Sequence, residues 1–232
     1  MTAMGFSRFF RQACFLFALA LSAIFSMSAV HADDRHDFFR AVEMDRPDQI
    51  QNLLKKGVDP NITEPYKGHT GLIIAMHEGS MGVFNLLINT PGIDLNKRAD
   101  NGNTALMLAA WKNNVPAVKT LLEKGAIVNQ SGWTALHYAA AVGNNEIVQM
   151  LLDKKAIVDA PAPNRTTPLM MAARSGHTKT VKLLLDHGAD VRLRNDWSMG
   201  AVDFARDGDF TSLEEGLQSR LDKIEAMNAM KK

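Results

Sequence analysis

The chain is predicted to be an all-α repeat solenoid, on three observations. A pattern of threonine, small residue and leucine, then alanine, recurs as Thr70-Gly71-Leu72 with Ala75, Thr104-Ala105-Leu106 with Ala109, Thr134-Ala135-Leu136 with Ala139, and Thr167-Pro168-Leu169 with Ala172. The alanines, from Ala41 to Ala205 of a degenerate Gly200-Ala201-Val202 copy, lie 34, 34, 30, 33 and 33 residues apart. After each alanine an apolar stripe follows at helical spacing, as in Val118, Leu121 and Leu122. A fixed period of this length describes supersecondary units that bury their apolar faces only by stacking.

The elements follow in order. Arg8 and Arg11 precede an uncharged, mostly apolar run from Gln12 to Val30, and Val30-His31-Ala32 offers small residues to a signal peptidase. Residues 1–32 therefore read as an export signal, and an uncleaved membrane anchor is the alternative. Cys14 lies at the start of the apolar run, where it does not form a lipoprotein site. The repeat domain is expected over 33–232, with six units near 35–65, 66–97, 98–129, 130–160, 161–192 and 193–220 and then a helical tail. The first unit, Phe38 to Asn61, lacks the Thr-x-Leu opening and reads as a cap.

In the third unit Asp100-Asn101-Gly102-Asn103 is a turn, Thr104 caps a first helix, and Ala109 and Ala110 keep that helix thin. Asn113 stands where Gly79, Gly143 and Gly176 stand elsewhere, all suited to a left-handed residue ending a helix. A second helix ends at Gly125. In the fifth unit Pro168 takes the first helical position and Gly188 the end. Leu213, Leu217, Leu221 and Ile224 continue a stripe, read as a long helix covering the last repeat or, alternatively, dimerising.

Trp133-Thr134-Ala135-Leu136-His137-Tyr138-Ala139-Ala140 and Thr167-Pro168-Leu169 with Gly188-Ala189-Asp190 resemble the ankyrin repeat motif, and the resemblance covers residues 35–220. It implies helix-turn-helix units joined by short β-hairpin fingers. It also implies a concave surface of fingers and first helices, and mainly protein partners. His137, in the Thr-x-Leu-His element, is implied to hydrogen-bond between units.

The repeat breaks at two joints. The interval before Ala139 is short because only Gln130 and Ser131 separate Asn129 from Gly132, so that finger should be stunted. At the next joint Lys155 and Arg165 replace glycines, beside Pro161 and Pro163. This joint reads as a binding notch or as drift in a tolerant loop.

Composition narrows function. Of 26 Lys and Arg, two leave with the leader, so 24 face 25 Asp and Glu, which gives no electrostatic case for nucleic acid. Cys14 leaves too, so the remaining chain has no thiol for disulfides or thiolate metal sites. No phosphate loop, dinucleotide fingerprint, nucleophile elbow or His-Glu-x-x-His occurs. No enzyme, cofactor or resident metal is expected. Asp59, Asp94, Asp159 and Asp190 recur at finger starts and are read as structural. His36, His177 and His187 are read at element ends.

The candidate partner-binding residues are Trp111, Trp133 and Trp197, because tryptophan is enriched among binding hot spots and none of the three falls on a core position. Lys112, His69, His77, Glu78, Arg98, Asn101, Asn103 and Arg174 surround them. His69, His77 and Glu78 raise a weak metal or enzymatic alternative whose spacing matches no zinc motif. The resulting expectation is a monomeric periplasmic protein-binding module that supports or protects another periplasmic protein, with an immunity protein against a periplasm-acting toxin as the alternative.

Overall fold

The computed structural model describes residues 32–230. Residues 1–31 of the expected leader and the two terminal lysines lie outside them. Twelve helices form six antiparallel pairs among the described residues: α1 (Ala32–Glu43) with α2 (Pro47–Lys55), α3 (Gly71–Glu78) with α4 (Met81–Leu87), and α5 (Ala105–Trp111) with α6 (Val115–Glu123). They continue as α7 (Ala135–Val142) with α8 (Asn145–Asp153), α9 (Pro168–Arg174) with α10 (Thr178–Asp186), and α11 (Ala201–Asp207) with α12 (Thr211–Ala229). The all-helical repeat solenoid is thus observed.

The first helices stack in one continuous row, α1 on α3 through to α9 on α11. Their composition allows this. Ala105 through Ala110 are all buried, as are Gly71 through Met76, because each first helix is covered by neighbours and by its own second helix. Such a helix must be apolar all round, and alanine lets axes approach. The second helices bury one stripe only, Val118, Leu121 and Leu122 in α6. At the end of the stack, α12 buries Leu213, Leu217 and Leu221 against α11 and covers the last repeat.

Threonine caps recur as expected. The hydroxyls of Thr70, Thr104 and Thr167 accept the amides of Ile73, Met107 and Met170 at 3.3, 3.4 and 3.4 Å. Helix ends are equally regular. Gly79, Asn113, Gly143 and Gly176 have φ of 79°, 58°, 81° and 71°, and Lys155 and Arg165 adopt left-handed backbone at 64° and 61°. Lys155 is held there partly by Asn129, whose amide donates to its carbonyl at 2.7 Å.

The fingers are turns rather than paired strands. Among the described residues only one isolated antiparallel bridge occurs, between Thr63 and Thr70. Three to four residues per tip leave room for only one or two turn bonds, such as Ala99 N–H to Asn103 O at 2.9 Å and Gly102 N–H to Ala99 O at 2.8 Å. Neighbouring fingers are stitched by the bond from Asp100 N–H to Lys67 O and by that from Asp196 N–H to Asn164 O. The stunted fourth finger is joined instead by a side chain. The Arg98 guanidinium donates to the Ser131 carbonyl at 2.7 Å and to Gly102 O at 2.9 Å.

A second row of contacts runs behind the fingers. Asn61, Asn96 and Asn129 each accept, through the side-chain oxygen, the amide of a residue one unit on: Asp94 at 2.7 Å, Ile127 at 2.7 Å and Ile157 at 2.9 Å. This corrects the grouping of Asp159 with Asp59, Asp94 and Asp190. Those three accept the amide two residues downstream in their own turn. Asp159 instead occupies the asparagine position, four residues after the left-handed Lys155 as Asn61, Asn96 and Asn129 follow Gly57, Gly92 and Gly125, and it accepts the amide of Asp190 one unit on. His36 also needs correction, since it lies inside α1 rather than at an element end.

Candidate binding grooves

Fingers and first helices together enclose two grooves, on the face where the expected binding residues lie. One is lined by Trp133, Asn164 and Thr166 from fingers, Met171 and Arg174 from α9, Trp197 and Met199 from the last finger, and Phe204 and Asp207 from α11, and holds about 660 Å³. The other, of about 290 Å³, is lined by Phe39, Glu43, Glu64, Tyr66, Lys67, His69, Ile74, His77 and Glu78.

The aromatic groove is built by register. One position before each helix cap carries His69, Asn103, Trp133, Thr166 and Met199 in successive units. Two residues beyond the repeat alanine come His77, Trp111, Ala141, Arg174 and Asp207. Trp133 of unit four and Trp197, from the finger of unit six, stand on either side of the smaller Asn164 and Thr166 of unit five, and this leaves the hollow. Trp111 and Trp197 are 50% and 66% exposed, so large apolar rings face water.

Tyr138 ties the rings together. Trp111 meets it edge-on with centroids 5.9 Å apart, Trp133 lies 6.4 Å away, and Trp133 also packs edge-on against His137 at 5.2 Å. The Tyr138 hydroxyl donates to Asn103 Oδ1 at 2.7 Å, and burial raises its pKa above that of a free phenol, only partly offset by Asn103. Trp133 is therefore half-buried against its neighbours, while Trp111 and Trp197 offer open surface.

The other expected residues divide. Arg174 and Lys112 are exposed and make no ion pair among the described residues. Arg98 and Asn103 have their polar groups engaged within the fold, as described, and Asn101 accepts the Asn103 amide at 3.0 Å. Sequence spacing misses the contributions of Met171, Met199 and Phe204, which look like ordinary core residues. The signal available for them is their register beside the concave columns.

In the polar groove His77 Nδ1 lies 2.8 Å from the Glu78 carboxylate. Burial depresses the His69 pKa, with nearby Lys67 and His77 adding to the depression and Glu64 opposing it. Slight desolvation raises the Glu64 carboxyl, but amide hydrogen bonds from Tyr66 and Lys67 at 2.8 and 2.6 Å outweigh it and hold the group low. Among the described residues no three His, Cys, Asp or Glu converge as metal ligands.

His137 is buried and joins units four and five. Its Nδ1 accepts the Thr134 amide at 3.1 Å, so the proton sits on Nε2 and is donated to the Thr166 carbonyl at 3.0 Å. Burial drives its pKa down to about 4.

Residues 38–131 and 126–195 match the family of ankyrin repeats in three copies. The chain belongs to the ankyrin repeat family. It is similar to the human transient receptor potential cation channel subfamily A member 1, 29% identical over 162 residues that cover 65% of this chain and 14% of that protein. It is also similar to the human photoreceptor ankyrin repeat protein, 41% identical over 78 residues (33% of this chain, 17% of that protein). A third relative is human SH3 and multiple ankyrin repeat domains protein 2, 42% identical over 80 residues (34% and 4%). The chain thus spans less than a fifth of each relative. Ankyrin repeats are protein-interaction modules and typically carry no catalysis, and that is the class this fold and these grooves define. No helix among the described residues is long and apolar enough to cross a membrane.

Proposed function

We propose that this chain is an exported, monomeric bacterial protein that binds a partner protein in the periplasm through its concave face and supports or protects that partner. The observation that carries the binding reading is a pair of exposed tryptophans on one face: Trp197, which walls the groove together with Trp133, and Trp111, which is joined to Trp133 through Tyr138. A prearranged aromatic surface gains contact area at little ordering cost. The export reading rests on Arg8 and Arg11, the apolar run to Val30 and the small residues before Asp33.

Expression of the full chain with a C-terminal tag in a Gram-negative host, followed by fractionation and intact-mass measurement, tests export. The expected product is periplasmic and lacks Met1 to Ala32. A cytoplasmic or membrane-retained full-length chain overturns it. Crosslinked capture by the wild type and by a Trp111→Ala, Trp197→Ala double variant tests the face. One protein captured by the wild type and lost by the variant is expected, with its activity kept or raised in the complex. Equal capture by both overturns the face, and loss of the partner's activity favours an immunity role instead.

A further inference from the structure

The aromatic groove carries opposite charges in successive units. Arg174 ends α9 and Asp207 ends α11, both exposed and both lining the groove floored by Met171 and Phe204 and walled by Trp133 and Trp197. Neither side chain forms an ion pair among the described residues, whereas the nearby Asp203, Arg206 and Arg194 pair with one another or with Glu214. An unpaired cation and an unpaired anion beside an apolar hollow make a polarised slot. It offers attraction to a carboxylate over unit five and to an amine or guanidinium over unit six.

The spacing limits what fits. Helices α9 and α11 pack directly, so their equivalent ends lie roughly 8–10 Å apart. A β-strand alternates its faces, but a segment in polyproline II returns to the same face every third residue with a rise of about 3.1 Å, so residues three apart span about 9 Å on one face. The two side chains between them point to either side of that face, where Trp133, Met171, Trp197 and Phe204 supply apolar surface. Resting on the concave-face reading above, we infer that the groove takes an extended segment of the partner, in polyproline II conformation, in which an acidic and a basic residue stand three positions apart, with a large apolar residue between. The acid pairs with Arg174, the base with Asp207, and the apolar side chain fills the hollow.

Display selection of random nine-residue peptides against the intact protein tests this, followed by binding titrations of the selected sequences. The wild type is expected to enrich Glu-x-x-Lys-type pairs, in either chain direction, around Leu, Met, Phe or Trp. Arg174→Glu is expected to weaken those peptides at least tenfold and to enrich lysine or arginine at the former acidic position. Asp207→Lys should do the reverse at the other end. Peptides that lose binding to Trp197→Ala but show no charge pattern, or ignore both charge variants, overturn this inference and leave the concave-face reading standing. Peptides indifferent to Trp197→Ala as well overturn both. No enrichment at all overturns the extended-segment occupant.

Discussion

Both carboxylate oxygens of Asp159 approach the backbone amide of Asp190, at 3.2 and 3.1 Å, one unit away. Asn61, Asn96 and Asn129 make the same cross-unit bond with a neutral amide. Burial raises the Asp159 pKa, and the nearby Asp190 charge adds to the effect. A carboxyl with a raised native pKa binds protons more tightly when folded, so stability falls as pH rises through the window between its unfolded and folded values. Asp159→Asn keeps the acceptor and removes the charge. It is expected to stabilise the protein at pH 7 by about 0.5 kcal/mol, or roughly 1–2 °C. Thermal melts should show the gain vanishing below about pH 4.

His137 gives the opposite dependence. Its pKa falls from the ordinary value near 6.5 to about 4 in the fold, so the unfolded chain binds the extra proton first. The stability tied to neutral His137 is complete above pH 6.5 and is lost as pH falls toward 4, by about 3 kcal/mol in full. His137→Gln is expected to be less stable at pH 7, since it loses the bond to Thr166 or to Thr134, but to show a flatter profile over that window. Chemical denaturation at several pH values measures this directly.

Two glycines at the same register position separate backbone strain from contact. Gly79 has φ of 79° with nothing within 4 Å of a Cβ built there, while at Gly143, φ 81°, a Cβ would lie 2.5 Å from the His177 ring. That ring is itself held by Nε2 donating to Ala141 O at 3.0 Å. Gly79→Ala should cost about 1 kcal/mol for the left-handed backbone alone. Gly143→Ala should cost about 3 kcal/mol, because His177 must leave its place between units. Equal costs by urea denaturation would refute the contact.

Trp111 is half-exposed and touches the fold chiefly through its edge-on contact with Tyr138. Trp111→Ala is therefore expected to change stability by less than about 1 kcal/mol. If the ring anchors a partner, its loss should weaken binding by about 2 kcal/mol, near thirtyfold, in calorimetric titration against the captured protein. Unfolding of the variant would instead identify Trp111 as part of the stack.

The helices were legible in the sequence because their signals are local. Thr104 acts on Met107 and Asn113 ends the helix beside it, so a short window contains both cause and effect. Contacts between units were not. Nothing near Asn129 announces that its side chain bonds Ile157, and Arg98 and Asn103 read as free polar residues although Ser131 and Tyr138 engage them. Trp111 and Trp197 were legible as surface rings because the repeat register alone puts them off the core. The hollow between Trp133 and Trp197 needed three units placed together, along with the small residues of the one in the middle.

Helix packing runs within units and between adjacent ones, whereas the Trp133–Trp197 groove draws on three units at once. A partner seated there acts as a clasp. It adds cohesion to the α7–α12 half in proportion to its free concentration, and does nothing for α1 to α4. Heating or pulling the complex should thus unravel the solenoid from its N-terminal end, while the clasped half stays wound.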